Sequence, residues 1–210
     1  MKNTYVLKIF LKVLLFAAGL LLAGWFFMPW RQVGEAVLLS ASNHLPEPAY
    51  LSYSTVRSTA GGFVVNDLEI RNLMGMVNVF FSSVTIIPDV GTSLLSMAPT
   101  CRITFTGAVI GDIAVTPFSK IPSVAPGNGR AVVSINRQGV FLDGLRSVGE
   151  LSTSGSLLIN LSGMEILWAD VAIDIDSETF EEYMPHLALI LPLQQESQGR
   201  WFLRRLRGSE

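Results

Sequence analysis

The chain has 210 residues, half of them hydrophobic and only 15% charged, with a formal net charge of −2. That balance excludes the basic footprint of a nucleic-acid binder, and the apolar content excludes disorder as the main state. A single cysteine, Cys101, excludes an internal disulfide, so a packed core must hold the fold; Cys101 is expected to act as a small buried hydrophobe beside Ile103.

The first element is apolar. Residues 13–30, VLLFAAGLLLAGWFFMPW, contain no charge, and about 20 such residues cross a bilayer core. Lys2, Lys8 and Lys12 precede the run, and only Arg31 directly follows it. This asymmetry predicts a cytoplasmic N-terminus, a single pass, and residues 31–210 outside the cytoplasm. Trp25 and Trp30 are expected at the far membrane interface, where indole rings settle. A cleaved signal is the competing reading: Gly24 suits the last residue before cleavage, but Leu22 stands where a small residue is preferred. The expected organisation is a stub at 1–12, an anchor at 13–30, a juxtamembrane helix at 31–44 and an outer β domain at 45–210. In the helix, Val33, Ala36, Val37 and Ala41 share one face, and Pro46 and Pro48 end it.

Strands follow at short spacing. They are expected at 49–57, 62–72, 76–88, 101–115, 130–138, 150–163 and 165–176. Residues 62–71, GFVVNDLEIR, carry a break. Phe63 and Val65 share one parity, Leu68 and Ile70 the other, and Asn66 and Asp67 interrupt the run. Leu68 and Ile70 are expected inward, and Glu69 and Arg71 outward. Gly107 and Gly111 predict bends or a bulge. The prolines and glycines of 116–129 predict a loop. Short helices are expected at 90–98, capped by Thr92 or Ser93, and at 177–187, capped by Ser177. Residues 199–208 read as a last strand or a basic amphipathic piece. The connections are too short for helical crossovers, which predicts an antiparallel meander that is mainly β, half-open and curved, with two or three short helices.

Catalytic patterns are missing from the sequence. His44 and His186 stand far apart beside prolines, and no nucleophile elbow, phosphate-binding loop or paired-cysteine motif occurs. Asp174, Asp176 and Glu178 alternate as calcium ligands would, but without a glycine-centred loop they read better as a solvated strand face. The expectation is therefore no enzyme, no cofactor and no metal. Nine acidic residues and no Lys or Arg lie between Ser147 and Gly199, and Arg200, Arg204, Arg205 and Arg207 follow together. The basic tail is expected to pair with the acidic stretch or with anionic headgroups. On the apolar parity of 101–115, Cys101, Ile103 and Phe105 are the expected partner- or ligand-facing surface.

The segments LPEPAYLSYSTVRSTAGGFVVNDLEIRN, VNVFFSSVTIIPDVGTSLLS and CRITFTGAVIGDIAV resemble the general secretion pathway protein N family (type II secretion system protein N), and more distantly AsmA-type bitopic proteins. Gly62, Asp67, Leu68, Ile70, Pro88, Leu94, Leu95, Phe105, Gly107, Gly111 and Ile113 carry the likeness, which extends over roughly 45–206. The resemblance implies a non-enzymatic accessory component of a type II secretion, or pseudopilus, system in a bacterial inner membrane. Its periplasmic β domain would be an interaction scaffold, and its partners the lipid bilayer and secretion-system envelope proteins. The AsmA likeness implies the alternative, a carrier or bridge for a lipid or other apolar ligand across the envelope.

Overall fold

The computed structural model describes residues 12, 13, 15, 16, 19, 20, 23–25, 27–45, 47–73, 77–111, 113–116, 119–160, 165–176, 178–188 and 191–205. The fold is mainly β. Helix α1 (Trp30–His44) leads into strands β1 (Tyr50–Ser52), β2 (Thr55–Thr59), β3 (Gly62–Leu73) and β4 (Val77–Pro88). Helix α2 (Val90–Ser96) connects to β5 (Thr100–Ile110), and the hairpin β6 (Ile113–Thr116) and β7 (Ser119–Ile121) follows. Then come β8 (Val124–Asn136), β9 (Gly139–Val148), β10 (Leu151–Asn160) and β11 (Glu165–Ile175). Helices α3 (Glu178–Glu181) and α4 (Met184–Leu187) precede the final pair, β12 (Leu193–Ser197) and β13 (Arg200–Arg205).

Among the described residues, eleven strands form one open sheet in the order β1-β3-β4-β5-β8-β9-β10-β11-β13-β12, with β2 also on β3. Every pairing is antiparallel. The sheet is curved. Residues on β3 and β10 line one cavity of about 440 Å³, although five strand spacings of about 4.8 Å would separate those strands by about 24 Å in a flat sheet.

The concave face is closed at both ends by helices. Over β2–β4, α1 buries Trp30 and Leu38 against Val56, Phe63, Val65 and Val84. At the other end, Phe180 and Met184 pack with Ile175, Leu151, Val124 and Trp201. The middle of the face has no helix over it among the described residues.

Several expectations are corrected. The buried stripe of α1 is Trp30–Gly34–Leu38, and Val37 is exposed. Gly34 decides this. A Cβ built there would lie 2.6 Å from Phe63 Cδ2 and 2.9 Å from Val56 Cγ1, so only the glycine edge lets the helix approach. Trp30 is 3% exposed. Its indole packs in the protein core, its Nε1 donating to the Trp25 carbonyl at 3.1 Å. The cap of α2 is Asp89, whose Oδ1 accepts from Thr92 N at 3.0 Å. The helix expected at 177–187 is two short ones interrupted at Glu182 and Tyr183, and Ser177 lies outside the described residues. The expected 101–115 strand divides after Ile110. The expected loop at 116–129 instead contains β7 and the start of β8, with Pro126 placed between the pairs Ile110–Val124 and Ala108–Gly127, where the register shifts and a missing N–H costs least. Besides β7, the strands β9 and β12 are also additions to the expected set.

Among the described residues, no helix is long and apolar enough to cross a membrane. The described parts of 12–25 are helical, and Pro29 separates them from α1. Leu14, Ala17, Ala18, Leu21, Leu22 and Phe26 of the expected 13–30 span lie outside the described residues.

Candidate functional site

The strand parity that breaks at Asn66 and Asp67 builds the candidate site. Asp67 has a positive φ of 51°, and after it the inward side chains move from Phe63 and Val65 to Leu68 and Ile70. The neighbouring strands switch beside it. Ser82 of β4 faces Asp67, and Gly107 of β5, with φ 59°, faces Ser82. A Cβ on Gly107 would collide with the Ser82 side chain. Asn128 of β8 continues the line, its Oδ1 accepting from Gly107 N at 3.0 Å. The cavity residues accordingly follow a spacing of three across each break: Phe81 to Val84, Phe105 to Ala108, and Leu142 to Leu145. The register passes the line unshifted between β3, β4 and β5, so those strands change parity together, and it shifts between β5 and β8, β8 and β9, and β9 and β10. Bulges of the latter kind bend and twist a strand and contribute to the concavity.

The wall of the cavity is almost wholly aliphatic and aromatic. Ile103 and Phe105 line it together with Val79, Phe81, Ile86, Ala131, Val133 and Leu142. Phe105 meets Phe81 edge-on, with ring centroids 5.5 Å apart and planes at 68°. Its ring also lies across Gly129 of β8, where any Cβ would strike it. The two hydroxyls in the wall are already used. Ser147 Oγ contacts Thr153 Oγ1 at 2.9 Å, donates to the Leu151 carbonyl at 3.2 Å and accepts from Thr153 N at 3.0 Å. Among the described residues the wall thus offers an apolar surface with its hydroxyls already bonded within the chain.

Cys101 shares the parity of Ile103 but lies outside the cavity wall, opposite Pro88 and Val133. It is half-buried, and that burial pushes its thiol pKa up, away from a reactive thiolate. Leu142, Leu145, Ala131 and Val133 complete the site but were not picked out from the sequence. Asp143-Gly144 lies between Leu142 and Leu145 in the chain. In the structure it is a bulge inside β9: Gly144 has φ 56°, and Asp143 Oδ1 accepts from Gly144 N at 2.9 Å and from Ser156 Oγ at 2.7 Å.

The other candidate groups do not converge. His44 is on α1, its Nδ1 2.7 Å from the Ser40 carbonyl, and His186 is on α4 at the far end of the sheet. Among the described residues, no three His, Cys, Asp or Glu side chains cluster as metal ligands would. The acidic stretch and the basic tail meet across β11 and β13. Arg200 lies 3.5 Å from Asp174 and 3.3 Å from Glu196, and Arg204 lies 3.5 Å from Asp170. These pairs are exposed and contribute little each. Trp25 is half-buried and packs edge-on against Trp30 at 4.6 Å.

A family model described as type II secretion system protein GspN-like, Synergistales, matches residues 7–205. No curated protein and no solved structure matches the chain.

Proposed function

The chain belongs to the GspN-like family of type II secretion system proteins, and on that premise we propose that it is a non-enzymatic accessory component whose β domain is a docking scaffold on the periplasmic side of a bacterial inner membrane. The observation that carries this reading is the middle of the concave face, over which no helix lies among the described residues. Both ends of the face are filled by the chain's own helices, while the cavity of about 440 Å³ between them keeps an apolar wall. Such surfaces usually mark partner or ligand sites. The charge-free run at 13–30 and the lysines before it support a single-pass anchor with the domain outside the cytoplasm.

The test is photocrosslinking in cells from Ile103 and Phe105, compared with Thr104 and Thr106 on the opposite face. Capture of an envelope component of the secretion system from the first pair alone is the expected result. Capture only from the second pair would move the docking surface to the convex face. A reporter fused after Glu210 should be active only outside the cytoplasm.

A second reading is a carrier for a lipid or other apolar ligand. The cavity volume favours it, falling within the range of about 300–1,000 Å³ typical of small-ligand sites. Mass spectrometry of lipid co-purified with the full chain, lost on Ala131→Phe, would support this reading over protein docking.

A further inference from the structure

Helix α2 turns a run of apolar side chains to the outside. None of its residues is buried. Leu94 is 75% exposed, Leu95 89% and, just beyond the helix, Met97 95%. Single exposed hydrophobics are ordinary on a protein surface. Here they are adjacent, and the element presenting them is firmly held. Asp89 caps the helix and accepts from Arg102 Nε and Nη2 at 3.1 and 2.8 Å. Ser93 Oγ donates to the Asp89 carbonyl at 2.6 Å and accepts from Thr100 N at 2.9 Å.

The register places α2 at one end of the strands. Thr100 faces Ser134, so the β8–β9 turn at Arg137 and Gln138 lies at the same end. The β2–β3 turn is there too. Ala60, Gly61, Ile87 and Val90 line one cleft with Trp25. Trp25 closes the N-terminal helical stretch, in which Val13, Leu15, Phe16 and Leu20 are all exposed. The apolar surface of α2 thus adjoins the apolar N-terminal segment.

The charges differ between the two ends. The α2 end carries exposed Arg137 and Arg205. Its carboxylates Glu35 and Asp89 pair with Arg31 and Arg102, which leaves Glu165. At the opposite end Glu196 pairs with Arg200, which leaves Glu150, Asp176 and Glu182. An anionic bilayer surface attracts the first end and repels the second.

We infer that α2 is a membrane-contacting foot. Leu94, Leu95 and Met97 enter the interfacial layer of the bilayer that holds the N-terminal segment, and the sheet stands with its acidic end directed away. This rests on the reading of 13–30 as a membrane segment. The occupant is the lipid surface itself, because the foot adjoins that segment and shares its end of the sheet with the exposed Arg137 and Arg205.

The experiment uses the full chain with Cys101→Ala and one introduced cysteine, Leu95→Cys, Leu20→Cys or Val148→Cys. Each is labelled with an environment-sensitive fluorophore and reconstituted in phosphatidylethanolamine–phosphatidylglycerol vesicles that contain a nitroxide-bearing lipid. Unchanged circular dichroism and melting confirm each fold. Strong quenching at 95 and 20 with little at 148 is expected. Quenching at 20 but not at 95 overturns the foot and leaves the membrane segment standing. Quenching at 95 but not at 20 keeps the foot and removes the segment. Quenching at neither removes both, and equal quenching at 95 and 148 overturns the upright orientation. A blue-shifted label at 95 that lipid does not quench means that protein, such as a second copy of the chain, covers α2, and this also overturns the foot.

Discussion

Asp67 holds a left-handed backbone, φ 51°, and its carboxylate Oδ2 accepts from Ser54 Oγ at 2.8 Å. Aspartate tolerates this conformation because a short polar side chain bonds locally, whereas a bulky residue loses about 1–2 kcal/mol there. Asp67→Val should therefore lower stability by at least that amount in urea unfolding, while Asp67→Gly should be milder. Gly107 carries two constraints, its φ of 59° and the Ser82 side chain against the place of a Cβ. Gly107→Ala should destabilise, and Ser82→Gly in the same chain should recover the steric part but not the backbone part. A double-mutant cycle separates them. Full recovery would mean that the left-handed backbone costs nothing here. Both residues act beyond their own positions, because the crease they form turns the inward face of each strand.

Helix α1 docks through its smallest residue. Gly34→Leu gains helix propensity of somewhat under about 1 kcal/mol but must displace the fully buried Phe63. Overpacking of that kind costs about 1–3 kcal/mol. A lower melting temperature is expected; an unchanged one would mean that α1 slides freely on the sheet. Helix α2 depends on a charge. The Thr92 backbone N–H, and after it Arg102, hold the Asp89 carboxyl below its ordinary pKa. A group with a depressed folded pKa stabilises at pH above its unfolded value, and that contribution is lost as pH falls through the folded value. Amide protection in α2 should therefore be steady at neutral pH and fall on acidification below about pH 4. Asp89→Asn keeps the cap and should abolish this local pH dependence, as hydrogen exchange at Thr92 and Ser93 would report.

The whole molecule is an open sheet with two separately packed ends and an apolar hollow between them. The ends have few residues in common, so filling the hollow need not unfold them. Ala131 lies at the base of the cavity. Ala131→Phe should leave the circular dichroism spectrum native and shift stability by no more than the overpacking range of about 1–3 kcal/mol, while an apolar fluorescent probe that binds the parent chain should no longer bind. Retained probe binding by a folded Ala131→Phe variant would place the exposed apolar surface elsewhere, with α2 the first alternative.

The amino-acid sequence by itself determined the β class, most of the strands and the inward side chains Leu68 and Ile70 of β3 and Ile103 and Phe105 of β5, but not the change of parity in β5 after Gly107. Alternation at Leu68–Arg71 and Cys101–Thr106 is local, and one half-buried face is enough to produce it. It also marked the crease, since the interruption at Asn66 and Asp67 is a change of parity visible in one dimension. Only tertiary structure decided what that change does. Asp143-Gly144 has the residues of a turn yet is a bulge within β9, because Phe141 and Leu142 find partners on β10 and β8 that are distant in sequence. The burial of Trp30 also needed tertiary structure, because Gly34 lets α1 reach Phe63. The pairing of Arg200 and Arg204 with Asp174 and Asp170 needed the register of β11 against β13. The cavity needed the curvature that brings β3 and β10 to one hollow. Periodicity records which way a side chain faces relative to its own strand; which strands lie beside it, and what they leave uncovered, are set by contacts between residues far apart in the chain.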